Sequence, residues 1–101
     1  MKKTLIGAAV AAMLLPAAAM AERDGATVYN TKCAACHASG VAGAPMVGKA
    51  EEWAPRVAQG MDVLYKHADE GLNAMPPRGM CMDCTDDEMK AAITFMVENS
   101  K

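Results

Sequence analysis

Cys33-Ala34-Ala35-Cys36-His37 limits what this chain can fold into more than any other stretch of it. Two thiols with two residues between them, and a histidine directly after the second, make the C-x-x-C-H pattern of covalent haem attachment. The spacing has a physical reason. On a helix such thiols stand about one turn apart, and from there they reach the two vinyl groups of a porphyrin. The adjoining histidine then lies under the iron, where its ring nitrogen supplies an axial bond. The sequence holds only two histidines, His37 and His67, and one of them occupies this place. The expectation is one haem, bound through Cys33 and Cys36 and ligated by His37.

The N-terminus indicates the compartment. Lys2 and Lys3 precede an apolar run from Leu5 to Leu15, followed by Pro16 and small residues ending Ala19-Met20-Ala21. Positive, then apolar, then small-x-small is the layout of a secretory leader. The run falls short of the roughly 20 apolar residues that span a bilayer, although an uncleaved anchor is the rival reading. A cut after Ala21 gives a leader 1–21 and one domain 22–101, with no stable membrane insertion. That domain carries eight Lys+Arg against twelve Asp+Glu, a formal −4. It has no basic run, so the footprint of nucleic-acid binding is missing. A domain this small leans on a disulfide, metal or cofactor. Its aromatic bulk is only Tyr29, Trp53, Tyr65 and Phe95, which suits a large apolar cofactor inside.

Cys81-Met82-Asp83-Cys84 repeats the C-x-x-C spacing. A four-cysteine zinc site would use both pairs as thiolates. It would leave His37 unexplained, and an oxidising compartment works against free thiolates. A thioredoxin-like dithiol needs a βαβ setting, and no alternating strands are evident. The second pair therefore reads as a structural disulfide fixing the turn before the last helix. A redox-active pair is its functional rival.

The rest reads as helices and loops. A first helix is expected over 24–35, capped by Asp24, with Val28 and Tyr29 on its apolar face. A loop follows over 38–48. A short helix over 51–58 needs Pro55 in its first turn. Another is expected over 62–68, capped by Asp62 and closed by Gly71. A loop over 71–84 carries Met75-Pro76-Pro77. The last helix is the clearest. Thr85 and Glu88 form a capping box, and Met89, Ala92, Ile93, Met96 and Val97 fall on one stripe.

The second axial position calls for another soft or nitrogen ligand. Met75 stands in a loop stiffened by Pro76 and Pro77, which limits the entropy lost in aiming its thioether. Met80 is the runner-up, Met82 is near enough in sequence to be a rival, and Met46, after Pro45, is placed to line the haem edge. Met89 and Met96 lie on a helix face and read as core filler. His67 reads as solvated. A methionine sulfur raises the potential of the iron and leaves no open position for oxygen or peroxide.

With these motifs in place, the chain resembles the class I c-type cytochromes. Met75-Pro76-Pro77-Arg78-Gly79 followed by Cys81-Met82-Asp83-Cys84 is similar to the cytochrome c5 branch. The resemblance implies an all-α fold in which N- and C-terminal helices cross and short helices and loops wrap one haem. It implies Cys33 and Cys36 as covalent anchors, His37 as proximal ligand, Met75 as distal ligand and a Cys81–Cys84 disulfide. It matches Gly25, Tyr29 and Phe95 to the family's helix-crossing residues. Pro45 matches the proline beside the proximal histidine's other nitrogen. Trp53 matches a haem-propionate partner, with a plain core tryptophan as the alternative. Gly79 matches the family's first glycine of the loop, and Met80 stands where a second glycine is common.

The function so implied is a periplasmic electron carrier rather than an enzyme, and a monomer. The family's donors include a quinol-oxidising complex, and its acceptors a terminal oxidase or reductase. Two rivals stand beside it. One is a haem-based sensor or peroxidase with a labile sixth site. The other is an electron-entry subunit of a larger redox complex.

Overall fold

The structure is a computed structural model that describes residues 22–101; the leader expected over 1–21 lies outside the described residues. Helix α1 covers residues 25–37 and comprises Gly25–Val28, a wide π-type segment Tyr29–Cys33, and Ala34–His37. Helix α2 is Ala50–Val57, α3 is Met61–Glu70 and α4 is Asp86–Glu98. Tight turns occupy Val41–Gly43 and Pro77–Met80. Among the described residues there is no strand, only an isolated bridge between Leu72 and Met75. The all-α expectation holds.

Helix α4 forms as its sequence requires. Thr85 Oγ1 accepts from Glu88 N at 3.0 Å, and Glu88 Oε1 accepts from Thr85 N at 2.9 Å. This reciprocal cap satisfies two backbone donors that a bare helix start would leave open. The stripe of Met89, Ala92, Ile93, Met96 and Val97 is buried throughout. It packs mainly on α1, whose Val28 is fully buried. The crossing is tight at Gly25. A Cβ built there would lie 2.2 Å from the Ala91 carbonyl oxygen. Beside it Tyr29 and Phe95 stack with ring centroids 5.3 Å apart.

Helix α1 begins at the expected cap, with Asp24 Oδ1 accepting from Thr27 N at 2.8 Å. The helix closes at His37, where the loop was expected to begin. One feature differs from the sequence reading: the helix contains one wide turn, in which Ala34 N reaches back five residues to the Tyr29 carbonyl. Thr31 Oγ1 donates to the Thr27 carbonyl at 2.8 Å, a side-chain bond of the kind that loosens a helical ladder. The extra residue in that turn offsets Cys33–His37 from the Gly25–Tyr29 face that meets α4.

The two short helices also differ from expectation. Pro55 is the sixth residue of α2, beyond the first turn. The helix tolerates it because α2 is only eight residues long and Pro55 and Glu51 are both exposed. Water can then bond the carbonyl that lacks an amide partner. Helix α3 starts after Gly60, not at Asp62, which lies inside its first turn.

Arg23, just before α1, fastens it to the start of α4. Its Nε donates to Glu88 Oε2 at 2.9 Å, its Nη2 to Oε1 at 3.1 Å and its backbone N to Oε2 at 2.9 Å. Glu88 is only 5% exposed. The hydrogen bond from the Arg23 side chain, then those from the backbone of Thr85 and Arg23, hold the Glu88 carboxyl down to about 2, from an ordinary 4.5. A carboxyl depressed on folding stabilises the folded state above its unfolded value, and that contribution is lost as pH falls through the folded value. Stability is therefore expected to decline between about pH 4.5 and 2. Glu88→Gln keeps a capping acceptor but loses the charge. Urea midpoints should be lower for this variant at pH 7, and should fall less between those pH values than in the wild type. Parallel curves for the two proteins would contradict the assignment.

Candidate functional site

The wide turn in α1 delivers Cys33, Cys36 and His37 to one end of the helix. Cys33 is half-buried, Cys36 exposed, and both are free thiols. Burial pushes the Cys33 thiol above its ordinary range, which disfavours a reactive thiolate. Cys81 and Cys84 are joined by a disulfide with Cα atoms 5.5 Å apart. Both are buried. The bonded pair cannot serve as zinc thiolates, so the four-cysteine site has no counterpart here. Among the described residues, the cluster of Cys81, Asp83 and Cys84 is occupied by this bond.

His37 is held by the loop that follows it. Its Nδ1 lies 2.9 Å from the Pro45 carbonyl oxygen. A carbonyl can only accept, so Nδ1 carries the proton and Nε2 is left with its lone pair for a metal. Val47 N donates to the His37 carbonyl at 2.9 Å, fixing the backbone as well. The Trp53 ring stands beside the imidazole, with centroids 6.0 Å apart.

Of the two readings of Trp53, its surroundings fit the core one. It is 5% exposed, and its Nε1 donates to the Met46 carbonyl at 2.9 Å. Indole has a single donor, and the loop engages it. The tryptophan acts as core and as a brace for the Pro45–Met46 turn.

The methionine loop is pinned at Met75. Leu72 N donates to the Met75 carbonyl at 3.0 Å, and Met75 N donates to the Leu72 carbonyl at 2.9 Å. This closure needs Gly71, whose φ is +89° and where a Cβ would lie 2.9 Å from the Met75 oxygen. Met75 is half-buried and packs against the core. The Pro77–Met80 turn lies against the Tyr29–Cys33 segment, so the loop is brought to the anchor helix.

Arg78 secures that turn, a role the sequence did not announce. Its Nη1 donates to Asp69 at 2.6 Å and to Asp86 at 3.1 Å, and its Nη2 to the Cys84 carbonyl at 2.5 Å. One guanidinium thus ties the methionine loop to α3, to the disulfide turn and to α4. Its hydrogen bonds to Asp69 and then Asp86 hold its pKa above the ordinary value.

Met80 is 66% exposed and sits at φ +70°. Its thioether faces solvent, whereas that of Met75 is partly covered. The left-handed conformation costs a side-chain-bearing residue about 1 kcal/mol, which explains a preference for glycine at this position. Met80→Gly is expected to raise stability by up to about 1 kcal/mol. A urea midpoint unchanged or lowered would contradict this.

The donor set fits a covalent haem. Two free thiols precede a histidine whose remaining nitrogen is free to bind a metal. A thioether is held on a stiff loop. Val47, Val57, Met61, Leu64 and Met75 are apolar, only partly buried, and packed against the core.

Comparison with known proteins decides the family. A family model described as cytochrome c oxidase, cbb3-type, subunit III, matches residues 20–96. Cytochrome c5 of Azotobacter vinelandii is 48% identical over 76 residues, covering 73% of this chain and 92% of its own length. The chain belongs to the class I c-type cytochromes, in the cytochrome c5 branch. Two solved structures share its fold. A mono-haem ferrocytochrome c from Shewanella putrefaciens is 51% identical, with a TM-score of 0.69, covering 80% of this chain and 99% of its own. The cytochrome in an electron transfer complex of nitrite reductase with cytochrome c is 40% identical. Its TM-score is 0.73, and it covers 76% of this chain and 94% of its own. This cytochrome carries one covalently attached haem c and is an electron carrier, not an enzyme.

Proposed function

We propose that this cytochrome is a periplasmic shuttle in which His37 and Met75 are the two axial ligands of a haem bound through Cys33 and Cys36. The observation that carries the reading is the His37–Pro45 bond. It fixes the tautomer and leaves Nε2 as the one ring nitrogen of His37 able to bind iron, on the residue that follows the second of the two free thiols. Bound haem supplies a one-electron iron couple. The chain holds both ligand side chains on braced backbone. His37 is fixed by Val47 and Pro45, and Met75 by Leu72 with Arg78 beyond it. Ligands held this way change little between oxidation states, which suits fast transfer.

The leader layout over 1–21 supports export. Among the described residues, no helix is long and apolar enough to cross a membrane. The family's donors include a quinol-oxidising complex. A relative solved with nitrite reductase supports a reductase as acceptor here, with a terminal oxidase as the other class. The domain's net −4 favours weak, brief contact over tight docking to an acidic partner. The family model's description as an oxidase subunit favours a second reading, an electron-entry subunit. That reading requires co-purification with a larger complex, and a monomer at working concentration contradicts it.

Carbon monoxide tests the ligand assignment and the sensor or peroxidase rival together. The ferrous wild type is expected not to bind it readily, and Met75→Ala is expected to bind it. Ready binding by the wild type would contradict a filled sixth site.

A further inference from the structure

The Pro45–Met46 peptide group is bonded at both ends. Its carbonyl oxygen accepts from His37 Nδ1 at 2.9 Å, and its N–H donates to Glu52 Oε1 at 2.8 Å. The two hydrogen bonds share one amide, delocalised from oxygen through carbon to nitrogen. We propose that Glu52 tunes the donor strength of His37 through this amide and thereby lowers the reduction potential of the centre. The inference rests on His37 being the axial ligand.

The physical chain is short. A carboxylate accepting from an amide N–H makes a charge-assisted bond, stronger than a neutral one. It increases electron density on the carbonyl oxygen at the other end, and linked hydrogen bonds polarise one another in this way. The oxygen then draws harder on the Nδ1 proton. Nε2 becomes more basic, as it does for metal-bound histidines whose second nitrogen faces a carboxylate. A stronger donor favours ferric over ferrous iron, so the potential falls.

The surroundings leave the charge effective. Glu52 is half-buried on α2, beside an open groove that it lines with Pro45, Met46 and Arg56. Among the described residues it makes no ion pair. Arg56, one turn further on, directs its Nη1 at the Glu52 backbone carbonyl instead of the carboxylate. The neighbouring Trp53 holds the next carbonyl, that of Met46. Consecutive residues of α2 therefore grip both sides of the Met46 backbone, and only one of them is charged.

A merely structural fastener makes different predictions. Glu52→Gln keeps an oxygen that can accept from Met46 N and removes the charge. Glu52→Asp keeps the charge on a shorter arm. In the holoprotein, Glu52→Gln is expected to raise the reduced-to-oxidised ratio at fixed poise by about threefold, ~28 mV at about 59 mV per tenfold for one electron. The proton resonance of His37 Nδ1–H should move upfield, with the methionine–iron band retained. Glu52→Asp should stay nearer the wild type than Glu52→Gln in both readings. A wild-type potential in Glu52→Gln would overturn the inference, as would the reverse order of the two variants. A shifted potential with an unmoved Nδ1–H signal would overturn the route through the amide. If the wild type shows no haem-shifted Nδ1–H signal from His37, the ligand assignment itself fails, and this is seen before any variant is made.

Discussion

Gly25→Ala is expected to destabilise this cytochrome by about 3 kcal/mol. The added Cβ would lie 2.2 Å from the Ala91 carbonyl oxygen and 2.7 Å from its carbon. Both atoms are backbone in the middle of α4, so no side chain can swing aside. Alanine's better helix propensity opposes this by at most about 1 kcal/mol, and Gly25 is the first residue of α1, where that gain is smallest. Relief requires the α1–α4 crossing to open, which uncovers Val28, Ile93 and Val97. Urea denaturation of the holoprotein measures the effect. A loss under about 0.5 kcal/mol, within the usual spread of surface substitutions, would show that the crossing is not the tight contact described.

The double variant Cys33→Ala/Cys36→Ala, purified free of haem, is expected to lose most of its far-UV helical signal and its cooperative melt. Among the described residues, the large side chains buried by protein alone are chiefly Val28, Tyr29, Trp53, Met89, Ile93, Met96 and Val97. Val57, Met61, Leu64 and Met75 are only partly covered. A domain of this size has little core to offset the entropy of folding, and a group bound only by the folded state adds its binding free energy to stability. Circular dichroism with thermal melting is the check. A haem-free chain with a sharp, native-like transition would show that the protein core suffices.

What was legible in the sequence was local and chemically specific. Cys33, Cys36 and His37 could be named because thioether and imidazole geometry allow little other spacing. Helix α4 could be drawn because its capping box and apolar stripe agree with each other. Gly25 could be singled out only through the family resemblance, since nothing local to it distinguishes a crossing point from a turn. The wide turn in α1 was not legible, because one shifted backbone bond, with the Thr31 hydroxyl on the Thr27 carbonyl beside it, leaves no mark on the apolar pattern. Pro55 was placed too early because the rule for interior proline is about unpaired carbonyls, and exposure of Glu51 removes that objection. For Trp53 a propionate partner and a core tryptophan both stood open, because its hydrogen bond to the Met46 carbonyl is set by how α2 packs on the loop. Arg78 and Glu52 carry ordinary surface-type side chains, and only the fold shows what each one holds.

The proposed centre is a haem held by Cys33, Cys36 and His37 with Met75 closing its other face. The oxidised and reduced optical spectra of the wild type and of Met75→Ala, both with haem attached, test it. A covalent c-type spectrum is expected in both proteins, and a weak long-wavelength methionine–iron band in the oxidised wild type only. A band that survives in Met75→Ala would hand the distal position to another methionine. A wild type without the band would contradict methionine ligation altogether.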